Sequence, residues 1–203
     1  MTVTDDEVLH RDPLEWVGEL LQQAADAETD PAIDPMRVAL ATADGNGQPA
    51  VRYVLLKGFG PAGFVFYTNY ESRKAEDLAA NPRAALAFHW WNTGVQVRVQ
   101  GTVAKIEGAE SDRYFASRSR GSQLGAWASA QSRPLASRAQ LEELLEGTRK
   151  RFEGAEVPRP PHWGGYRLTP ERLEVWLDGD DRLHDRFAFE RSAEGWTGAR
   201  LAP

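Results

Sequence analysis

Four clusters of cationic and hydroxyl side chains have spacings suited to holding an anion. Ser72-Arg73-Lys74 stands where a helical pattern opens. Cations in a first helical turn lie against the positive end of the helix dipole, a cost that a bound anion reverses, and helix N-termini bind phosphate readily. Two solvated surface cations would leave the same string. Tyr114 and Arg118 are four apart and share a helix face. The following Ser119-Arg120-Gly121-Ser122 adds hydroxyls, another cation and a flexible backbone. That set suits a phosphate, or an ordinary helix C-terminus carrying Arg. In Arg182-Leu183-His184-Asp185-Arg186, a strand would put Arg182, His184 and Arg186 on one face. Three such groups repel unless an anion or π-system lies over them; a plain basic strand face is the alternative. Arg52 and Lys57 interrupt an apolar run, five apart, and so face opposite sides unless a bulge intervenes. Simple edge exposure would also explain them.

These clusters work against the overall charge. The 203 residues carry a formal net charge of -6, so no global basic field collects phosphates and no nucleic-acid partner is expected. With no cysteine, disulfides, thiolate metal sites and thiol nucleophiles are excluded. The four histidines, His10, His89, His162 and His184, lack metal-ligand spacing, and no metal is expected. No apolar run approaches the ~20 residues needed to span a bilayer, and Met1–Arg11 has no signal-peptide core. The expectation is a soluble cytoplasmic protein with no membrane partner.

The elements that must position these clusters are mostly short strands. Residues 1–12 read as a disordered or loosely attached N-terminus, and 13–203 as a single domain. Asp12-Pro13 caps and opens a helix over 13–27, with Leu14, Trp16, Val17, Leu20 and Leu21 at helical spacing. Met36–Ala43 and Pro49–Lys57 flank Asp44-Gly45-Asn46-Gly47, a hairpin signal. Phe64–Asn69 follows as a strand, then a short helix capped by Ser72 and stopped at Asn81-Pro82, then strands at Arg83–Trp91 and Val95–Ile106. Residues 110–153 are helical, with Ser137 and Gln140 as a capping box. Four β segments follow a Pro-rich connector, at 163–169, 171–178, 184–191 and 195–201. The tryptophans Trp90, Trp91, Trp163 and Trp176 read as core or interface aromatics rather than ligand platforms. Many short strands with tight turns predict a mainly β fold with flanking helices (α+β), an antiparallel barrel rather than a parallel sheet. No common nucleotide fingerprint occurs, and nothing in charge or periodicity specifies a flavin.

In their order, the clusters resemble the pyridoxamine 5'-phosphate oxidase family. The resemblance is carried by Arg52-Tyr53-Val54-Leu55-Leu56-Lys57, Phe66-Tyr67-Thr68-Asn69, Ser72-Arg73-Lys74 and Ser122-Gln123-Leu124-Gly125-Ala126-Trp127. It continues in Gln131-Ser132, Trp163-Gly164-Gly165 and Arg182-Leu183-His184-Asp185-Arg186. It implies a split β-barrel and a homodimer with FMN at the subunit interface. FMN would be held by Arg52 to Lys57 (with Tyr53, Val54, Leu55 and Leu56 between), Tyr67, Thr68, Arg73, Lys74, Gln96, Gln131, Ser132, Trp176 and Arg186. Arg73 and Lys74 would meet its phosphate. The substrate's phosphate would meet Lys57, Tyr114, Arg118 and Ser122, with Arg182, Leu183 and His184 against the ring.

The implied reaction is oxidation of pyridoxamine or pyridoxine 5'-phosphate to pyridoxal 5'-phosphate with O2 as acceptor. Arg182 would position the ring and His184 would support proton movement or orientation. Two departures from the family pattern stand out. Where the family carries an Arg and a Tyr that close over the substrate, only His10 and Arg11 precede Asp12, with no Tyr, and Val95 precedes Gln96-Val97 where Arg is common. Both would fit a relative acting on another aromatic, such as a phenazine precursor. A flavin-binding module without turnover is a third reading, from a different class.

Overall fold

Alternation along the strands decides which side chains fill the interior. In β5 (Val95–Lys105), Val95, Val97 and Val99 are buried while Arg98 and Gln100 are exposed, the period-two pattern of a sheet with one covered face. The computed structural model describes residues 5–203. The other strands are β1 (Arg37–Ala43), β2 (Pro49–Gly60), β3 (Gly63–Asn69), β4 (Arg83–Trp90), β6 (Trp163–Leu177), β7 (Asp185–Ser192) and β8 (Gly195–Leu201). All pair antiparallel in the order β3-β2-β1-β4-β5-β6-β7-β8, and β3 also pairs with β6. The first six strands therefore close into a barrel, which removes their open edges, while β7 and β8 extend the sheet beyond β6.

The barrel interior holds Leu40, Leu56, Phe64, Phe66, Leu86, Phe88, Leu168 and Leu173, all essentially inaccessible. At about 1.5–3 kcal/mol for each large apolar side chain buried, this cluster is the main favourable contribution to folding. Helix α2 (Pro13–Ala27) covers the inner side of β7, with Trp16 edge-on to Phe187 and Phe189. Its predicted start is observed: Asp12 accepts hydrogen bonds from the N–H groups of Leu14 and Glu15. A second apolar cluster (Phe115, Leu124, Phe152, Val157, Trp163) joins α4 (Gly108–Ser117) and α5 (Arg120–Ala128) to the outer side of β3 and β6. Helices α3 (Arg73–Ala80) and α6 (Arg138–Arg151) complete the fold. Among the described residues no helix is long and apolar enough to cross a membrane.

Several expectations need correction. Of the N-terminal segment expected to be loose, residues 1–4 lie outside the described residues. From Asp5 the chain forms α1 (Asp5–Leu9), which buries Val8 against the core beside β8, because one apolar residue per turn suffices where a partner surface exists. The two strands expected at 163–169 and 171–178 are one 15-residue strand, β6. Pro170 is accommodated because the register with β5 shifts between Gln100 and Gly101, a bulge that tolerates the missing N–H. The helical stretch 110–153 is broken at 118–119 and again at 129–137. Ser137 does cap α6 through Gln140 N–H, while the Gln140 side chain accepts from Ala136 N–H. Ser72 is the N-cap residue of α3 but makes no side-chain cap; its hydroxyl donates to the Asn69 carbonyl.

Candidate active site

A cavity of about 760 Å³ lies where β2, β3, α3, α4 and α5 meet. At one end α3 presents Arg73 and Lys74. Lys74 is almost fully buried and donates to Thr68 Oγ1 (3.1 Å), Ser72 Oγ (3.3 Å) and Gln131 Oε1 (3.1 Å). Burial pushes its ammonium down to about 8, the nearby Arg52 acts in the same direction, and Asp77 opposes them. Arg52 donates to Thr42 Oγ1 at 2.6 Å and the Leu40 carbonyl at 3.3 Å. With the Ser72 hydroxyl turned away, no side chain caps the α3 N-terminus, so its dipole faces the cavity together with Lys74 and with Arg73, which Asp77 engages through Nε at 3.1 Å.

At the other end Tyr67 stacks on Tyr114 at 3.9 Å between ring centroids and on Trp163 at 5.3 Å. The Arg118 guanidinium lies over Trp163 at 4.7 Å, a cation–π placement. Arg118 NH1 is buried without a hydrogen-bond partner, alone among the buried side-chain atoms of the described residues. Burial disfavours its charge, with Tyr114 opposing. Burial also raises the phenols of Tyr67 and Tyr114, keeping both protonated as donors at neutral pH. A buried, unpaired guanidinium nitrogen costs free energy unless an anion meets it. Lys57 and Ser122 line the same cavity. Burial alternates along β2 as far as Lys57, so Arg52 and Lys57 keep opposite faces of the strand. Both reach the cavity because residues of both faces line it, Arg52 and Val54 from one and Tyr53, Leu55 and Lys57 from the other. Tyr67 keeps its place because Gly165 lies opposite it on β6; a side chain there would collide with the Tyr67 ring and Ile106.

The remaining expected site residues stand elsewhere on the chain. Gln96, Trp176 and Arg186 are direct register partners on β5, β6 and β7, so they form one row across the outer face. His184 packs its ring on Trp176 at 4.2 Å, and its Nδ1 lies 3.2 Å from Asp178 Oδ1. Arg186 donates from Nε and NH2 to Glu174 Oε1 (3.0 and 2.9 Å) and from NH1 to the Ala202 carbonyl at 2.8 Å. Arg98 pairs with the same Glu174 oxygen. Arg182 and His184 do not share a strand face with Arg186. Arg182 ends a 3₁₀ turn (Asp180–Arg182) at φ 65° and β7 starts only at Asp185, because two consecutive residues in the left-handed region break the extended chain. Leu183 is exposed on this loop.

The cavity thus brings together Arg52, Tyr53, Val54, Leu55, Lys57, Tyr67, Thr68, Arg73, Lys74, Tyr114, Arg118, Ser122, Gln131 and Ser132. It is lined neither by Leu56, which is in the barrel core, nor by Gln96, Trp176, Arg182, Leu183, His184 or Arg186. Val95 packs inside the barrel, turned away from Gln96. Trp163, read as a core aromatic, is both core and cavity wall, and the structural roles of Asp77 and Glu174 had no signal in their spacing.

Residues 26–150 match the family model described as pyridoxamine 5'-phosphate oxidase, and 163–203 match the pyridoxine 5'-phosphate oxidase C-terminal dimerisation region. The chain is 55% identical over 179 residues to a pyridoxine/pyridoxamine 5'-phosphate oxidase of Sphingopyxis alaskensis, covering 88% of this chain and 83% of that one. It is 51% identical over 192 residues to one of Rubrobacter xylanophilus, covering 95% and 87%. Among solved structures, PhzG from Burkholderia lata, in complex with tetrahydrophenazine-1-carboxylic acid, superposes with a TM-score of 0.90 at 29% identity, covering 100% of this chain and 98% of that one.

Proposed function

Because the chain belongs to the pyridoxamine 5'-phosphate oxidase family, we propose that it oxidises pyridoxamine or pyridoxine 5'-phosphate to pyridoxal 5'-phosphate, with FMN as its flavin and dioxygen as acceptor. The observation that carries the phosphorylated substrate is Arg118: a buried guanidinium nitrogen with no partner, set in a cavity that also holds Lys57, Tyr114 and Ser122. The residues fit FMN as well. Arg52, Arg73 and Lys74 gather at the start of α3, where the dipole and three cations suit a phosphate monoester. FMN held there would supply the two-electron redox chemistry, with the substrate's C4' carbon oxidised and dioxygen reduced to hydrogen peroxide.

The chain's own residues bind and orient. Lys57, Tyr114, Arg118 and Ser122 hold the substrate phosphate; Arg182 and Leu183 position the ring, and His184 orients the substrate or moves a proton. The second group reaches the first in a homodimer. Val51 and Tyr53 are 70% and 74% exposed on β2, and Ala39, Ala41, Ala85 and Ala87 continue the same face toward Arg98 and Gln100. Small side chains on an exposed apolar sheet face let a second sheet approach closely. In this reading Gln96, Trp176, His184 and Arg186 of one copy wall the cavity of the other. The match of 163–203 to a dimerisation region supports it.

A phenazine-type substrate is the weaker reading. The TM-score of 0.90 to PhzG is accompanied by 29% identity, against 55% and 51% for the pyridoxine/pyridoxamine 5'-phosphate oxidases, and an unphosphorylated acid leaves Lys57, Arg118 and Ser122 without a common purpose. The test is anaerobic mixing of the FMN-loaded protein with pyridoxine 5'-phosphate. Rapid bleaching of the visible flavin band with formation of pyridoxal 5'-phosphate is expected. A flavin that stays oxidised would remove the substrate assignment and favour another aromatic.

A further inference from the structure

We propose that Asp77 is a positioning residue for the flavin phosphate, holding Arg52 and Arg73 in the orientation that grips it; this rests on the reading of FMN given above. Asp77 is 2% exposed. Its Oδ1 accepts from Arg73 Nε at 3.1 Å. Its Oδ2 accepts from Thr42 Oγ1 at 2.6 Å and from Arg52 NH2 at 3.4 Å. Thr42 in turn accepts from Arg52 NH1 at 2.6 Å. One carboxylate thereby anchors two guanidiniums that come from different elements, β2 and α3, with one oxygen for each.

The arrangement also sets the local charge. Arg52, Arg73 and Lys74 lie together with one carboxylate, which leaves two net positive charges for a phosphate monoester that carries about -1.5 to -2 near neutral pH. Burial alone would raise the Asp77 carboxyl. The hydrogen bonds from Thr42 and Arg73 and the charges of Arg73 and Arg52 outweigh it and hold the group below its usual range. The carboxylate is therefore charged whenever the site operates. A carboxylate placed beside an anion site opposes the anion if it acts only as a charge, and favours it if its hydrogen bonds pre-arrange the donors. The contacts to both guanidiniums argue for the second.

The experiment measures dissociation constants of the flavin-free full chain for FMN and for riboflavin, which lacks the phosphate, by quenching of flavin fluorescence. For Asp77→Asn the FMN constant should rise about tenfold or more while the riboflavin constant stays within about twofold, and Asp77→Glu should recover part of the loss. Should Asp77→Asn not fold, Thr42→Val, which keeps the carboxylate but removes the hydroxyl joining it to Arg52, should give a smaller loss confined to FMN. FMN binding that is unchanged or tighter in Asp77→Asn overturns the proposal, because Asp77 would then be a competing anion. Equal loss of both flavins also overturns it, leaving Asp77 a clip between α3 and β1. If the unmodified protein does not distinguish FMN from riboflavin, the cofactor assignment itself falls, a result separable from the others.

Discussion

The cavity below α3, α4 and α5 and the outer row on β5, β6 and β7 use the same device with opposite outcomes. Each has a buried carboxylate holding two guanidiniums: Asp77 with Arg52 and Arg73, and Glu174 with Arg98 and Arg186. On the outer row the device is closed, since the Arg186 Nε, NH1 and NH2 are all engaged by Glu174 and the Ala202 carbonyl. In the cavity it is open, since Asp77 engages Arg73 through Nε and leaves the rest of that guanidinium at an α3 N-terminus with no side-chain cap, and at the far end of the same cavity Arg118 NH1 has no partner. Unmet donors are concentrated in the cavity, and in the proposed dimer the outer row would serve as a preset wall. This is what a site completed between two copies requires: one surface with unmet donors and one that need not rearrange.

Breaking the cavity side should have the largest effect. Arg118→Ala should raise the KM for pyridoxine 5'-phosphate roughly 10- to 100-fold, in keeping with loss of a charge-assisted bond, while bound flavin is unchanged; steady-state kinetics with flavin quantification checks both. An unchanged KM would remove Arg118 from the substrate phosphate. The division between copies is tested by mixing two impaired chains, Arg118→Ala and His184→Ala, under subunit exchange and assaying at substrate concentrations far below the raised KM of the first. Random pairing puts one intact site in half of the dimers, so activity should return to roughly a quarter of the unmodified level. No recovery would mean that cavity and outer row meet within one chain.

Smaller effects sharpen the comparison. FMN affinity should weaken as pH rises through about 8, where the buried Lys74 loses its proton, with riboflavin affinity flat over the same range. Titrations at several pH values decide this, and a parallel fall for both flavins would place Lys74 away from the phosphate. On the outer row, burial would raise the Glu174 carboxyl, but the hydrogen bonds and charges of Arg98 and Arg186 hold it below its usual value. A carboxylate depressed on folding stabilises above its unfolded value of about 4.3, and that stability is lost as pH falls through the folded value. Glu174→Gln should therefore lower Tm at pH 7 and flatten its decline below about pH 4; an unchanged acid profile would show that the pair contributes nothing on folding.

Elements with strong local signals were legible in the chain. The helix from Pro13, the hairpin around Asp44–Gly47 and the alternating strand from Val95 agree with the structure within a few residues, because caps, turn residues and period-two burial act over neighbouring positions. The cation clusters were equally visible, since charge in an apolar run needs a reason wherever it lies. Three features escaped such reading. The Ser72 cap failed because the hydroxyl found the Asn69 carbonyl instead. The strand face of Arg182 and His184 failed because Asp181 and Arg182 take positive φ. The Pro170 break failed because a bulge absorbed it.

The sequence by itself determined the types of group available: local runs of cation, hydroxyl and aromatic, repeated in an order that resembles one oxidase family, together with a β-rich chain to carry them. Only the tertiary structure decided the grouping. Asp77 meets Arg52 and Glu174 meets Arg186 across strands and helices, 25 and 12 positions apart, and the site residues divide between a cavity and an outer row. The physical reason is range. Capping and alternation are set by neighbours in the chain, whereas a buried charge is stabilised by whichever partner the closed barrel brings to it.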